Sequence, residues 1–339
     1  MGTETLQADI IEQLNEYKKE TRLSEIIYEN KEETKGRNEF LFFIKPEITS
    51  FSENVHIDEI INLIFSKIKA FSLTIQNIKI LSAKYLAEYS IIARHYGVIN
   101  KLATSPLQYF SEEAKNKFQN LFNLKIEDAE ILGGVELLKK YPTLKPESLD
   151  YLCQNTKSEK LAGGTYVNRL KLDGNEIYLI NGFHPRQLEH FTAPGRSIVT
   201  FTLVGDTSWK IARNDFIGKT NPMDATKGSI RNELLLNKEN FGLKTVSSSW
   251  NGVHLSAGPV EGLVELIRYN SDFSAPNIKS HKDYDFGKRL DDTFSSEIVE
   301  KIKSNPNVSY DQRYKSVFDL TEETDSIDAI EILKKVDFS

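Results

Sequence analysis

The apolar positions of the chain follow strand and helix periods in turn. Residues 38–44 form a short apolar run rich in aromatics, which predicts a buried strand. Residues 57–71 carry apolar side chains at helical spacing and predict an amphipathic helix. A second strand is predicted over 73–81, and Ser82 is placed to cap a helix that follows it. The first hundred residues therefore predict alternating strands and helices.

The rest of the chain yields further elements by the same patterns. Asp173-Gly174-Asn175 lies between two alternating runs and predicts a β-hairpin over 166–180. Predicted helices cover 111–122, 127–140, 147–154, 206–214, 258–269, 295–303 and 326–336, and predicted strands cover 196–204 and 253–256. Residues 229–236 read as strand-like, and residues 4–36 as one or two helices around Leu6, Ile10, Ile11, Leu14, Leu23, Ile26 and Ile27.

Composition narrows the class of protein. The chain has 339 residues, a net charge of −6 and a pI near 5.7, so no basic field calls for nucleic acid or an anionic membrane. Cys153 is the only cysteine, which excludes a disulfide framework and a thiolate metal site. No apolar run is long enough for a membrane span, and the start lacks a secretory pattern. We therefore expect a soluble, cytoplasmic protein.

Chemically distinctive side chains concentrate between positions 218 and 265. They are a hydroxyl (Thr220), a guanidinium (Arg231), a carboxamide (Asn251), an imidazole (His254) and a carboxylate (Glu265). A guanidinium and a hydroxyl suit an anion with several oxygens, and a neutral imidazole is a competent nucleophile toward phosphorus. The segment therefore predicts a phosphate site that contains a histidine.

This segment resembles the nucleoside diphosphate kinase family. In that family T-N-P-x-D…G-[ST]-I-R is followed by N-x-x-H-x-S, and here Thr220 to Arg231 and Asn251 to Ser256 keep that order. The resemblance implies an α+β, ferredoxin-like βαββαβ core with an antiparallel sheet. It divides the chain into a helical N-terminal extension (1–37), core halves (38–108 and 196–269), an inserted α+β subdomain (109–195) and a helical C-terminal extension (270–339).

The resemblance also implies roles for individual residues. His254 would take up the γ-phosphate, Glu265 would hold its other ring nitrogen, and Ser256 would support that contact. Lys45 opens a Lys-Pro-Glu segment after the first core strand, as in the family, and would contact the phosphates. The implied nucleotide-binding residues are Lys45, Tyr89, Arg213, Thr220, Arg231 and Asn251. Arg213 lies seven positions before Thr220, where the family has six, so Asn214 is an alternative occupant.

The implied activity is transfer of the γ-phosphate of ATP or another nucleoside triphosphate to a nucleoside diphosphate or a specialised acceptor. Mg²⁺ would arrive on the nucleotide phosphates, so no protein metal site is expected. Two alternatives stay open: another phosphate-centred reaction on a non-nucleotide substrate held by the insertion, or a non-catalytic nucleotide-binding regulator. We expect the C-terminal extension (270–339) to form packing contacts or the contacts of a homodimer.

Two features separate the chain from the family pattern. Leu255 and Ala257 stand where the family has Gly and Asp around the serine. The insertion contains His184, Arg186 and His190 close to a glycine turn, a set that suits an anionic substrate group or, more plainly, a turn entering a helix.

Overall fold

The computed structural model describes residues 3–17, 22–32, 36–49, 54–275, 277–311 and 313–338. The predicted N-terminal extension therefore lies partly outside the described residues, at 1–2, 18–21 and 33–35. The strands are β1 (Ser24–Glu29), β2 (Asn38–Ile44), β3 (Thr74–Ser82), β4 (Ile131–Gly133), β5 (Ser158–Ala162), β6 (Thr165–Leu172), β7 (Asn175–Ile180), β8 (Ser197–Gly205), β9 (Val253–Leu255), β10 (Asn307–Tyr310) and β11 (Arg313–Ser316).

Helices connect and cover these strands. They are α1 (Thr3–Tyr17), α2 (Pro46–Thr49), α3 (Ile57–Ala70), α4 (Ala83–Glu88), α5 (Ile91–His95), α6 (Gly97–Thr104), α7 (Pro106–Tyr109), α8 (Glu112–Phe122), α9 (Gly134–Lys140), α10 (Pro146–Gln154), α11 (His184–Thr192), α12 (Trp209–Ile211), α13 (Ile230–Leu236), α14 (Pro259–Asn270), α15 (Asp285–Thr293), α16 (Ser296–Lys303), α17 (Val317–Thr321) and α18 (Ser326–Leu333). Helix α12 continues as a π-helix over Ala212–Ile217.

The chain divides into two compact units. Unit 1 combines Met1–Tyr85 with Pro194–Ser339, and unit 2 is Leu86–Ala193. The predicted limits of the insertion, 109–195, stay a prediction.

Unit 1 is built on a five-stranded sheet in which every neighbouring pair of the described strands is antiparallel. The strand order is β1-β3-β8-β2-β9, and α3 joins β2 to β3. Leaving aside the edge strand β1, the order along the sheet is second, third, first, fourth, which is the ferredoxin-like arrangement. The prediction of an α+β fold with an antiparallel sheet is thus confirmed.

The central strand β2 is buried on both faces, which explains its unbroken apolar sequence. Phe40, Phe42 and Ile44 pack in one core with α1 and α3. The intervening residues point to the opposite face because side chains alternate along a strand. Helix α14 packs against β2. On this opposite face Phe43 is fully buried, and Lys45 lies directly beyond the end of the strand.

Two predicted elements of unit 1 have the wrong type. The segment around Ile26 and Ile27, predicted as helical, forms edge strand β1, in which Ile26 is exposed and Ile27 packs against the core. Residues 229–236, predicted as strand-like, form helix α13 instead. Ile230 and Leu234 are both buried and lie four apart, so one helix face carries them while Leu236 stays exposed.

Unit 2 contains its own sheet, in the order β4-β7-β6-β5. The predicted hairpin is present as β6 and β7, which pair in antiparallel register. The helix predicted over 127–140 is broken: a short 3₁₀ turn and β4 come first, and α9 begins only at Gly134. A Cβ on Gly133 would lie 2.1 Å from the carbonyl oxygen of Ala103, so close backbone approach requires glycine there.

The C-terminal residues 270–339 include a hairpin, β10 and β11, beside the predicted helices. A buried polar network ties them to β2. Asp325, 7% exposed, accepts hydrogen bonds from the Asn38 amide (3.0 Å) and the Trp209 backbone N–H (2.9 Å), and pairs with Arg37 (2.8 Å). The helices among the described residues are all too short or too polar to cross a membrane.

Removing this carboxylate should destabilise the fold. We expect Asp325→Ala to lower the free energy of unfolding by about 2–4 kcal/mol, because two buried donors lose their acceptor; the ion pair adds little, since Arg37 is half exposed. Urea titration measures the loss. Asp328→Ala, on the exposed side of α18, is the matched control and should cost under about 0.5 kcal/mol. Equal effects of the two variants would contradict the network's role.

Candidate functional site

The candidate site surrounds the short edge strand β9. His254 lies opposite Phe43 in the β2–β9 register, and Gly252 and Ser256 form the flanking backbone bonds with Lys45 and Leu41. In an antiparallel pair the residues between such partners turn their backbone groups away. The carbonyl groups of Val253 and Leu255 therefore face the outer edge of the sheet.

Two guanidinium groups donate hydrogen bonds to the carbonyl groups of this outer edge. Arg231 donates to the carbonyl of Val253 at 3.0 Å and to that of Gly218 at 2.8 Å. Arg213 donates to the carbonyl of Leu255 at 2.9 Å. The two arginines thus bind the backbone on either side of His254. They cover an edge that would otherwise be open to further strand pairing, and they concentrate positive charge along it.

Arg213 lies in the π-helix that follows α12. A π-turn contains more residues than an α-turn, so it changes which side chains of this segment face β9. Asn214, the alternative at this position, bonds to the Lys210 carbonyl of its own helix at 2.9 Å. Of the two neighbours, it is Arg213 that reaches β9.

His254 is held by a carboxylate and a hydroxyl. Its Nε2 lies 3.0 Å from Oε2 of Glu265, and Ser256 donates its hydroxyl to the same oxygen at 2.6 Å. Glu265 on α14 is 2% exposed, and Ser256 is fully buried. The imidazole stacks on Phe43, with ring centroids 4.5 Å apart. A carboxylate facing Nε2 stabilises the tautomer that carries the proton there, which leaves the lone pair on Nδ1.

Lys45 belongs to the same region. Its ammonium donates to Oδ1 of Asn251 at 2.7 Å, and the Asn251 amide donates to the carbonyl oxygens of Thr220 (3.0 Å) and Ser248 (3.1 Å). Asn251 thereby connects the end of β2 to the loop of Thr220. Burial lowers the pKa of Lys45 to about 8, partly opposed by Glu47.

Sequence reasoning missed Glu47. Its carboxylate accepts a hydrogen bond from the backbone N–H of Gly252 at 2.8 Å, and the Gly252 carbonyl accepts one from the backbone N–H of Lys45 at 2.8 Å. Gly252 has φ +79°, a conformation that favours glycine. Glu47 therefore fixes the turn between Asn251 and His254. The Lys-Pro-Glu segment carried the signal, but only Lys45 was taken from it.

Glu261 was also missed. It lies one helical turn before Glu265 and accepts from the backbone N–H of Ala257 at 3.0 Å, at the start of α14. Burial raises the pKa of its carboxyl, and the charge of Glu265 raises it further. In the sequence, only the four-residue spacing of Glu261 and Glu265 along α14 could have indicated that the two carboxyl groups lie close together.

Four predicted site residues belong to unit 2. Tyr89 uses its backbone carbonyl to accept from Arg94. Each ring nitrogen of His184 lies 3.0 Å from a side-chain amide oxygen, Nδ1 from that of Gln187 and Nε2 from that of Asn100. Burial lowers the pKa of this imidazole. Arg186 pairs with Glu189 at 2.5 Å, and His190 is a buried residue of α11. The insertion set therefore includes side chains that structural contacts already occupy.

The groups around β9 suit an anion with several oxygens. Lys45, Arg213 and Arg231 supply positive charge, whereas the Glu265 carboxylate is engaged by His254 and Ser256. This donor set fits nucleotide phosphates, and Mg²⁺ carried by those phosphates needs few protein ligands.

Comparison with known proteins gave structural matches only. No protein-family model matches the chain, and no curated protein matches it. A nucleoside diphosphate kinase structure from Encephalitozoon cuniculi aligns with a TM-score of 0.34 and 14% identity, over 70% of this chain and 92% of that one. An NDP kinase structure from Pyrobaculum aerophilum aligns with a TM-score of 0.34 and 18% identity, over 72% of this chain and 99% of that one.

Proposed function

We propose that the protein is a phosphotransferase that moves the γ-phosphate of a nucleoside triphosphate through a phosphohistidine at His254. The observation that carries the proposal is the pairing of Nε2 with Glu265, reinforced by Ser256. When a buried carboxylate holds the proton on Nε2 of a histidine, the lone pair on Nδ1 is available to act as a nucleophile.

The transfer has two steps. In the first, the Nδ1 lone pair of His254 attacks the γ-phosphorus, and the bond to the bridging oxygen breaks, so that the nucleoside diphosphate leaves with that electron pair. In the second, an acceptor oxygen attacks the same phosphorus, the N–P bond breaks, and the lone pair returns to Nδ1. Glu265 stabilises the positive charge that the ring carries while it is phosphorylated.

The surrounding groups would bind the nucleotide. Phosphoryl transfer depends mainly on positioning and on compensating the charge of the equatorial oxygens. Lys45, Arg231 and Arg213 would supply that charge, with Thr220 as a hydroxyl donor. Asn251 would contact the sugar, and Mg²⁺ bound to the phosphates would neutralise part of their charge. The motif order of the sequence supports these assignments.

The acceptor is a nucleoside diphosphate or a specialised molecule. Leu255 and Ala257 replace the small and acidic residues that the family pattern has beside the histidine. These replacements leave the Glu265 and Ser256 contacts intact. They affect the surroundings of the phosphorylated ring, where an acceptor has to approach.

Incubation with γ-labelled ATP and Mg²⁺ tests the proposal directly. We expect one phosphate per chain that is labile in acid and stable in base, and peptide mapping should locate it at His254. Adding unlabelled nucleoside diphosphates one by one should remove the label if a nucleotide is the acceptor. Binding of ATP without any labelled protein would overturn the covalent mechanism.

The lowered pKa of Lys45 predicts how affinity depends on pH. An anionic ligand binds the protonated ammonium, and this charge is lost in the free protein as pH rises through about 8. MgATP affinity should be flat below that pH and fall by up to about tenfold per pH unit above it. In Lys45→Arg the side chain stays charged, so calorimetric titration from pH 7 to 9.5 should show no such fall. Equal slopes for both proteins would exclude Lys45 as the cause.

A further inference from the structure

A cavity of unit 1 lies away from β9. It has a volume of about 250 Å³, is partly open to solvent, and is lined by strands of the main sheet and by the segment that follows α14. Its lining includes Glu39 at the start of β2, Lys79 on β3 and Thr202 on β8. Glu39 precedes Phe43 by four residues, so the cavity lies roughly 13 Å along β2 from the ring that stacks on His254.

Two opposite charges line this cavity without pairing with each other. The Lys79 ammonium donates to the backbone carbonyl of Ser271 at 2.9 Å, and the Glu39 carboxylate accepts from the backbone N–H of Phe286 at 3.1 Å. Neither side chain forms an ion pair with another of the described residues. Burial raises the pKa of Glu39 to about 7 and lowers that of Lys79 to about 8. The fold therefore desolvates a group of each sign, and the opposite charges that act on them, Lys288 on Glu39 and Asp272 on Lys79, form no ion pair with them.

The cavity wall between them is fixed by hydrogen bonds. The Asn270 amide donates to the hydroxyl of Thr202 at 2.8 Å and to that of Tyr284 at 3.1 Å. Tyr284 in turn donates to the carbonyl of Leu266 at 3.0 Å. The rim also carries both signs, with Lys279, Lys288, Asp283 and Asp285 among its residues. A rigid wall and a rim of mixed charge favour a ligand that is itself charged at both ends.

The sheet register separates the backbone positions of the two residues that carry these charges. Glu39 lies opposite Val204, and Lys79 lies opposite Thr200, on the shared neighbour β8. These positions are four residues apart, about 13 Å along the strand, and the two outer strands are about 10 Å apart. A ligand that meets both charges must therefore carry its own charges at the two ends of a chain rather than on one carbon.

We propose that this cavity binds a small zwitterion of the ω-amino acid type, with its ammonium at Glu39 and its carboxylate at Lys79. Such a ligand would place an opposite charge in direct contact with each buried group at once. The lining repels a simple anion through Glu39, Asp283 and Asp285, and it repels a simple cation through Lys79, Lys279 and Lys288, so each single charge gains at one end and loses at the other. The site is independent of the phosphoryl transfer proposed for His254.

Calorimetric titration of the full chain with a series from glycine to 6-aminohexanoate tests the assignment. Affinity should rise with chain length, and hexylamine and hexanoate, which each keep one charge, should bind at least about tenfold more weakly than 6-aminohexanoate. Absence of heat from every member of the series at about 10 mM ligand would overturn the proposal. So would equal binding of 6-aminohexanoate and hexanoate.

Two variants locate the binding. Glu39→Gln keeps an acceptor for Phe286, and in Lys79→Met the Tyr85 hydroxyl still donates to Ser271 at 3.1 Å, so both are expected to fold. Each should weaken 6-aminohexanoate at least about tenfold, whereas His254→Asn should leave its affinity unchanged. Loss of binding in His254→Asn alone would place the ligand at β9 instead. Failure of ATP labelling would leave this result untouched.

Discussion

Replacing His254 by asparagine is expected to abolish the acid-labile label that ATP leaves on the protein. An asparagine amide can still donate to Glu265, so the buried carboxylate keeps a partner and the fold should survive. No nucleophilic lone pair of comparable strength remains at that place, because an amide nitrogen is not basic. Labelling should fall by at least about 10³-fold, the order found when a covalent nucleophile is removed. Intact mass spectrometry after incubation with MgATP measures it.

The matched control is His56→Asn. His56 lies at the start of α3, where its side chain is 55% exposed. The same substitution there should leave the label at the level of the unchanged protein. Undiminished labelling in His254→Asn, with the phosphate still acid-labile, would move the nucleophile to another residue and remove the basis of the proposed mechanism. Circular dichroism of both variants shows whether a loss of label is a loss of fold.

The elements with a strong period were predictable from sequence. Strand β2 is buried on both faces, and the hairpin of β6 and β7 carries its Asp-Gly turn, so local pattern and tertiary position agree. Strand β1 and helix α13 were mistaken because each is short and has few buried residues to set a period. In α13 three consecutive leucines imitate a strand, and only the burial of Ile230 and Leu234 reveals the helix.

The candidate site was predictable in its members but not in its contacts. Motif order identified His254, Glu265 and Ser256, which the structure joins within hydrogen-bonding distance. That Arg231 and Arg213 bind the outer carbonyls of β9 could not be predicted, because it depends on β9 being an edge strand. A sequence shows which side chains could bind an anion, whereas the order of strands in the sheet determines which backbone carbonyl groups those side chains bind.

Replacing Glu265 by glutamine should slow phosphorylation of His254 strongly without preventing ATP binding. The glutamine oxygen still accepts from Nε2, but it carries no charge to stabilise a ring that becomes positive as it is phosphorylated. The amide can also rotate, presenting N–H to the ring and favouring the tautomer with the lone pair on Nε2. We expect a rate lower by roughly 10²–10⁴-fold, as for other residues that orient a catalytic histidine. Single-turnover labelling with γ-labelled ATP measures it.

Glu261→Gln is the control that separates this charge effect from a change in helix α14. Glu261 lies one turn earlier on that helix, and its raised pKa brings its carboxyl closer to the neutral form that glutamine resembles. The Ala257 backbone N–H keeps an acceptor in this variant. The labelling rate should therefore stay within about threefold of the unchanged protein. If both glutamines slowed labelling equally, the effect would belong to the packing of α14, and the pairing of Glu265 with His254 would be structural rather than catalytic. If neither did, transfer would not pass through a positively charged ring at this position.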